Sequence, residues 1–247
     1  LLEEAGLRPV GIDTVPCALF RSFERSLRRQ EDKENTTVFV DVGSRFTTVV
    51  FGCGGGISFV KQIPIGGDSF SREAASKLGV GISEAQMLRG TLRTERLDAD
   101  FENQYRTILP TGTETAVCTP ESKSAEQNGL DESARQVMID AVSAGAEKLA
   151  REISLCFRYH SVTFRGKRVK RAFITGGEAY DQILLNTFRE QLAVDIEVAQ
   201  PLRGFDLTNV NFDGSKQGTL CEYAVAVGLS LKGWEEAAGG NGNYERN

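Results

Sequence analysis

The sequence predicts an α/β fold with a mixed sheet flanked by helices, because strand-like and helix-like segments alternate along most of its length. An early hairpin interrupts the alternation, since a glycine-rich turn at residues 52–56 joins two apolar runs as antiparallel neighbours. Parallel and antiparallel pairs are therefore expected in one sheet. Short apolar runs predict strands at residues 7–13, 37–42, 46–51, 57–65, 169–175 and 194–198.

Helical spacing is clearest over residues 131–160, where apolar side chains recur on one stripe. At 1.5 Å per residue this helix is roughly 45 Å long. Pro16 is typical of a first helical position, and Asp68 or Ser69 and Ser83 are typical helix caps. The other helices are predicted at residues 16–29, 69–78, 83–89, 178–192 and 221–231.

The composition is that of a globular protein, with 40% of the 247 residues hydrophobic and 26% charged. The net charge of −5, without a dense stripe of lysine and arginine, argues against nucleic acid as a partner. No apolar run approaches the roughly 20 residues that cross a bilayer, so direct membrane insertion is not expected. The five cysteines are scattered and form no CxxC pair, which is typical of a reducing, cytoplasmic compartment.

The only histidine, His160, lies at the end of the long predicted helix. No acid and nucleophile accompany it in a catalytic pattern. We therefore expect a surface residue or a cation at a helix C-terminus.

The first motif that could carry chemistry is DVGSRFTT at residues 41–48, which ends one predicted strand and turns directly into the next. Gly43 lets backbone N–H groups approach a phosphate, threonine hydroxyls can donate to it, and Asp41 can hold Mg²⁺ through water. The same residues also suit a simple hairpin turn, so the segment by itself leaves both interpretations open.

The second motif is ITGGE at residues 174–178, which predicts a strand, a Gly–Gly turn and a helix start. Two glycines allow a flat ligand to lie against the backbone, and the N–H groups of a helix start favour anions. A tight strand-to-helix turn is the alternative. No GxxxxGK[ST] segment occurs, which excludes a P-loop NTPase. The glycines at 52–56 open a strand rather than a helix, which excludes a dinucleotide fingerprint.

Together and in this order, the segments resemble the second lobe of the actin-like ATPase (ribonuclease H-like) fold. Within that fold the chain resembles the PilM family of type IV pilus assembly proteins, which is related to FtsA. The segments that carry the resemblance are LRPVGIDTVPCALFRSF at 7–23, VDVGSRFTT at 40–48, IPIGGDSFSREAASKLG at 63–79, the helix at 149–160 with FITGGEA at 173–179, and YAVAVGLSL at 223–231.

The resemblance implies a division of the chain into four parts. The polar stretch at 111–127 fits a loop or insertion. The implied parts are the end of a first lobe with a connecting helix at 1–34, the core of the second lobe at 35–67 and 131–232, an inserted smaller subdomain at 68–130, and a disordered tail at 233–247.

The resemblance also implies a site for ATP and Mg²⁺. Asp41 would hold the metal through water. The residues implied near the phosphates and metal are Asp41, Gly43, Ser44 and Thr47, and those implied against adenosine are Gly176, Gly177 and Glu178.

A helix of this family that tends to read Ala-Glu-x-Leu-Lys supplies a glutamate and a lysine to ribose and base. The corresponding residues here are Gln86 and Arg89. Glutamine lacks the charge, and arginine carries its charge in a different geometry. The contact with adenosine is therefore expected to differ from that of the relatives.

The function that the resemblance implies is that of an ATP-binding scaffold in the pilus assembly platform, cytoplasmic and peripheral to the inner membrane. The first phosphate motif and the surface that docks PilN-type partners belong to the first lobe. Residues 1–4 carry no methionine and no signal sequence, so we expect the sequence to begin inside a longer chain. Two or three missing phosphate contacts, at ~1.5–3 kcal/mol each, predict weak or absent ATP binding by this chain alone.

Three alternatives stay open at this point. One is a sugar or acid kinase of the same superfold, although no catalytic aspartate stands out. Another is a degenerate lobe that docks proteins without nucleotide, which the glutamine at position 86 favours mildly. Self-association into filaments, as in FtsA relatives, is a third, and the sequence leaves ATP turnover equally open.

Overall fold

The computed structural model describes residues 4–6, 11–24, 35–53, 55–93, 131–164, 169–206 and 220–238. The strands are β1 (Thr37–Val42), β2 (Thr47–Cys53), β3 (Gly56–Ile63), β4 (Arg171–Thr175) and β5 (Asp195–Val198). The helices are α1 (Val15–Glu24), α2 (Gly67–Leu78), α3 (residues 82–93), α4 (Glu132–Thr163), α5 (Gln182–Gln191) and α6 (Ala224–Ala238). Short 3₁₀ helices precede α5 and α6 at Gly177–Tyr180 and Cys221–Tyr223.

The five strands form one mixed sheet in the order β3-β2-β1-β4-β5. β1 pairs antiparallel with β2 and parallel with β4, β2 pairs antiparallel with β3, and β4 runs parallel to β5. The predicted α/β class, the hairpin and the mixed sheet are confirmed. Because β1 and β4 are parallel neighbours, their carboxyl ends lie at the same edge of the sheet, with Asp41 opposite Thr175.

Helices cover both faces of the sheet, and alternate residues of β1 contact the two layers. Val38, Val40 and Val42 belong to the larger buried cluster, which α2, α3, α4 and α5 complete. Phe39 faces the smaller cluster, where its ring stacks on that of Phe23 of α1 with centroids 5.0 Å apart. The sheet is therefore buried on both sides in its centre, which explains the nearly continuous apolar sequence of β1.

Helices α1 and α6 form the smaller layer and contact each other directly. Arg21 of α1 donates a hydrogen bond to the carbonyl oxygen of Gly228 in α6 at 2.9 Å and one to the carboxylate of Asp13 at 2.8 Å. These two helices are the segments that the resemblance interprets as connecting helices. Of the strand predicted at 7–13, residues 7–10 lie outside the described residues, and 11–13 form no strand.

The segment predicted as an inserted subdomain contributes to the main core where it is described. Phe70 and Ala74 of α2 and Ala85 and Leu92 of α3 lie in the same buried cluster as the valines of β1. Residues 94–130 lie outside the described residues, and the subdomain boundary stays a prediction. At the other end, α6 continues to Ala238, within the segment predicted as a tail, and 239–247 lie outside the described residues.

The expectation for His160 is wrong. Its side chain is buried, and its ring stacks between those of Phe51 and Phe164 with centroids 4.6 and 4.7 Å away. Nε2 lies 3.1 Å from the hydroxyl oxygen of Ser58 on β3. His160 continues the buried stripe of α4 beyond Ile153 and Cys156, so helical spacing overrides its position near the helix end.

Candidate functional site

The two predicted motifs meet at the edge where β1 and β4 end. Gly176 adopts a φ of 91°, in the region that favours glycine. A Cβ atom at residue 176 would lie 2.5 Å from Oδ1 of Asp41 and 2.5 Å from the carbonyl oxygen of Val42. The glycine therefore allows both the unusual backbone angle and the close approach of the second motif to the first.

The β1–β2 turn is held by backbone hydrogen bonds from two sides. The N–H of Gly43 donates to the carbonyl oxygen of Phe46 at 3.1 Å and closes the turn. The N–H groups of Gly67 and Asp68, at the start of α2, donate to the carbonyl oxygens of Gly43 and Ser44 at 3.0 and 2.7 Å. These helix-start donors are therefore occupied by the turn, and the turn itself has a fixed backbone.

The predicted phosphate contacts of this turn differ in their accessibility. Ser44 is exposed and Gly43 is partly buried, so both can be reached by a ligand. Thr47 is fully buried, and its hydroxyl donates to the carbonyl oxygen of Ile65 at 2.8 Å. The hydroxyl of Thr47 thus holds the end of β2 against the segment that enters α2.

The Gly–Gly turn also separates into an open and a buried part. Gly177 is exposed, and nothing lies within 4 Å of the position that its Cβ would occupy. Glu178 is buried and turned toward α2, where a Cβ at Gly67 would collide with its Oε1. An extended ligand can therefore lie on Gly177, whereas the carboxylate of Glu178 faces the protein interior.

Two arginines of α3 hold Glu178 and Asp181 in what we call the arginine–carboxylate cluster (Arg89, Arg93, Glu178 and Asp181). Nη2 of Arg89 donates to Oε2 of Glu178 at 2.7 Å and to Oδ2 of Asp181 at 3.2 Å. Arg93 donates to the same two oxygens, with Nε 3.4 Å from Asp181. The side chain of Arg89 is only 5% exposed, so this is a buried network.

The cluster fastens three elements to one another. Nη1 of Arg89 also donates to the carbonyl oxygen of Gly67 and to Oγ of Ser71 in α2, both at 2.9 Å. Oδ1 of Asp181 accepts from the N–H groups of Ile183 and Leu184 at 3.0 and 3.4 Å and so caps α5. Helix α3 is thereby tied to the start of α2 and to the start of α5.

The residues implied at ribose and base thus occupy two different environments. Gln86 is exposed on α3, whereas Arg89 is buried in the cluster together with Glu178. Sequence reasoning missed Arg93 and Asp181. The spacing of four residues between the arginines places them on one helix face, and an aspartate before an apolar run is a common cap, so weak signals for both existed.

Asp41 has no such partners. No cation and no hydrogen-bond donor of the described residues contacts its carboxylate, and burial raises the pKa of Asp41 to about 6. No group of three or more acidic, histidine or cysteine side chains within the described ranges could enclose a metal. A carboxylate of this kind fits Mg²⁺ that keeps several waters and is shared with phosphate oxygens.

The Gly–Gly turn is also bonded to the beginning of the last helix. The hydroxyl of Thr175 and the N–H of Gly176 donate to the carbonyl oxygen of Cys221 at 2.6 and 3.3 Å. The N–H of Cys221 donates to the hydroxyl of Tyr180 at 3.1 Å, and that hydroxyl donates to Glu222. The turn is therefore hydrogen-bonded to the segment that leads directly into α6.

Comparison with solved structures shows the fold: the chain has an actin-like ATPase fold. A PilM–PilN type IV pilus biogenesis complex matches with a TM-score of 0.66 and 19% identity over 94% of this chain and 55% of that one. EutJ, an ethanolamine utilization protein of Carboxydothermus hydrogenoformans, matches with a TM-score of 0.55 and 16% identity over 93% and 58%. MreB5 of Spiroplasma citri bound to ADP matches with a TM-score of 0.54 and 13% identity over 97% and 65%.

These similarities define the fold. The chain spans between about half and two thirds of the length of these three structures. No protein-family model and no curated protein sequence matches it. Within the described part of the chain, no helix has the length and apolar character needed to cross a bilayer.

Proposed function

We propose that this chain is the nucleotide-binding second lobe of a PilM-type scaffold in a type IV pilus assembly platform. The observation that carries the proposal is the meeting of Asp41, the β1–β2 turn and the Gly176–Gly177 turn at one edge of an actin-like sheet. The similarity to the PilM–PilN complex supports the pilus role, and the ADP-bound MreB5 supports nucleotide as the ligand.

In this proposal the phosphates of ATP lie along the β1–β2 turn, where Gly43 and Ser44 remain accessible. Asp41 would hold Mg²⁺ through water, and the ion would neutralise phosphate charge while compensating the partly buried carboxylate. Adenosine would lie across Gly177, whose surroundings are open. Thr47 and Glu178 would support the site from behind, since both are buried and hydrogen-bonded to the protein.

Gln86 and Arg89 would contribute differently from the corresponding residues of the relatives. Gln86, which is exposed, is the one that can still reach a ribose or a base. Arg89 would act indirectly by holding Glu178 beneath the Gly–Gly turn. We expect nucleotide binding rather than efficient turnover, since no described residue stands out as a base that would activate water.

The similarity to the PilM–PilN complex supports a PilN-type partner. A PilN-type inner-membrane protein would dock on the first lobe, outside this chain, and place the scaffold at the cytoplasmic face of the inner membrane. Nucleotide would bias partner binding through closure of two lobes about α1 and α6. The hydrogen bonds between the Gly–Gly turn and Cys221 give that closure a physical connection to the site.

A second candidate is a degenerate lobe that docks proteins without nucleotide. The arginine–carboxylate cluster favours it, because Arg89 and Glu178 are committed to each other rather than directed at a ligand. The two candidates differ in a single measurable property, the affinity of the full-length protein for ATP.

The test is a titration of a fluorescent ATP analogue with Mg²⁺ into the full-length protein that carries this chain. Gly177→Val places a branched side chain in the space over the turn, where a Cβ meets no atom within 4 Å, so it should abolish micromolar binding while the fold persists. Gly56→Val is the matched control, since Gly56 is also exposed and unobstructed but begins β3 at the opposite end of the sheet. No binding by the unmodified protein, together with retained binding of a PilN-type peptide, would establish the degenerate lobe instead.

A further inference from the structure

We infer that Arg45 is the side chain that neutralises phosphate charge at this site, an inference that rests on the proposed nucleotide function. Arg45 lies in the middle of the β1–β2 turn and is exposed. Consecutive Cα atoms are 3.8 Å apart, so its Cα lies within about 8 Å of that of Gly43. A guanidinium at this position can reach an anion bound along the turn.

The backbone around Arg45 is fixed before any ligand binds. The hydrogen bond from Gly43 to Phe46 closes the turn, and the two bonds from the start of α2 hold its carbonyl groups. Only the side chain of Arg45 has to be ordered on binding. A fixed backbone lowers the entropy lost when a long side chain closes on its ligand.

The balance of charge at the site also points to Arg45. The arginines of the arginine–carboxylate cluster are committed to Glu178 and Asp181, and Asp41 adds an uncompensated carboxylate. A triphosphate brings several further negative charges. Within the described residues, Arg45 takes part in no hydrogen bond or ion pair, so its charge is available.

Arginine suits this task chemically. Its planar guanidinium can donate two parallel hydrogen bonds to one phosphate group, and such charge-assisted bonds are the strong ones. Lysine at the same position would keep the charge and lose the paired geometry. The conservative variant can therefore separate the two contributions.

The test measures the affinity of the full-length protein for ATP and for adenosine at two salt concentrations. Arg45→Gln should weaken ATP binding about tenfold, reduce the dependence of that binding on salt, and change adenosine binding less than twofold. The affinity of Arg45→Lys for ATP should lie between that of the unmodified protein and that of Arg45→Gln. The matched control is Arg158→Gln, an exposed arginine near the end of α4 on the far side of the molecule, which should leave both affinities unchanged.

The possible results of this titration lead to different conclusions about Arg45. ATP binding that Arg45→Gln leaves unaltered would overturn the role of Arg45 and leave the nucleotide function standing. An equal loss for ATP and adenosine would also overturn it, because the residue would then support the turn rather than the phosphates. Absence of ATP binding in the unmodified protein would overturn the inference together with the proposed function.

Discussion

Two sets of carboxylates lie at the same edge of the sheet and differ in their partners. Glu178 and Asp181 accept hydrogen bonds from Arg89 and Arg93, so their charges are compensated within the protein. Asp41 has no cationic partner among the described residues, and burial raises its pKa to about 6. The first set can be explained by the fold alone, whereas the second leaves a charge that a bound cation could compensate.

This difference distinguishes residues that stabilise the fold at this site from a residue that is available to bind a ligand. The arginine–carboxylate cluster joins α3 to the starts of α2 and α5, and its four charges sum to zero. Asp41 lies against Gly176, where a ligand on the open Gly–Gly turn would be close. Substitutions in the cluster should therefore alter mainly stability, and substitutions at Asp41 should alter stability and ligand binding in opposite directions.

The largest effect is expected from Arg89→Met. The substitution leaves two buried carboxylates with a single arginine, and breaking a buried ion pair from one side costs about 3–5 kcal/mol. Urea denaturation of the chain measures the free energy of unfolding. Arg158→Met, at an exposed position, should change it by less than about 0.5 kcal/mol. Equal effects of the two substitutions would show that the cluster is not a stabilising network.

Gly176→Ala should rank second. The alanine would have to adopt a φ of 91° and would place its Cβ 2.5 Å from both Asp41 and Val42. We expect a loss of about 2–4 kcal/mol, from the strained backbone and from overpacking.

Gly67→Ala is the corresponding substitution beside the arginine–carboxylate cluster, and its effect is compared with that of Gly176→Ala. The added Cβ would collide with the carboxylate of Glu178, which would have to shift against its arginine partners, but no backbone atom is in the way and Gly67 has no left-handed φ. A smaller loss is therefore expected, measured by the same denaturation. A larger loss for Gly67→Ala than for Gly176→Ala would reverse the comparison.

Asp41→Asn tests the uncompensated carboxylate by its dependence on pH. The folded pKa lies above the ordinary value of 3.8, so the wild type loses stability as the pH rises from 3.8 to about 6. Asparagine does not ionise and should be more stable at pH 8 by up to about 3 kcal/mol, with no such gain at pH 4. Unfolding free energies at the two pH values measure this.

The gain in stability should be accompanied by a loss of binding. If Asp41 holds Mg²⁺ through water, the more stable variant should bind ATP more weakly when Mg²⁺ is present. In the absence of the metal the variant should bind ATP at least as tightly as the wild type, because the carboxylate of Asp41 then only repels the phosphates, and this reversal serves as the control. A variant that is no more stable at pH 8 would show that a partner compensates Asp41 in solution.

The sequence predicted the architecture better than it predicted the site. Runs such as TVFVDV and TTVVFGC identify strands because burial on both faces of a sheet requires continuous apolar residues. The position of the two glycine turns could also be predicted, since each follows a strand directly. The cluster could not, because the partners of Arg89 lie 89 and 92 residues away and no local pattern relates them.

The smallest effect on stability is expected from substitution of His160. This residue extends the comparison with Asp41, because it is a buried titratable group at the opposite edge of the sheet. Burial lowers the pKa of His160, so the unfolded chain takes up a proton first as the pH falls through the ordinary value of 6.5. Stability should decline below that pH by less than about 1.4 kcal/mol per pH unit, the limit for one proton. His160→Phe keeps the stacking on Phe51 and Phe164 but cannot be protonated, so its stability should fall less between pH 6.5 and 5.5. If the stability of the wild type and that of His160→Phe depend on pH in the same way, His160 is hydrated in solution. If stability instead falls with rising pH because of Asp41 and with falling pH because of His160, burial acts on both groups without a compensating partner.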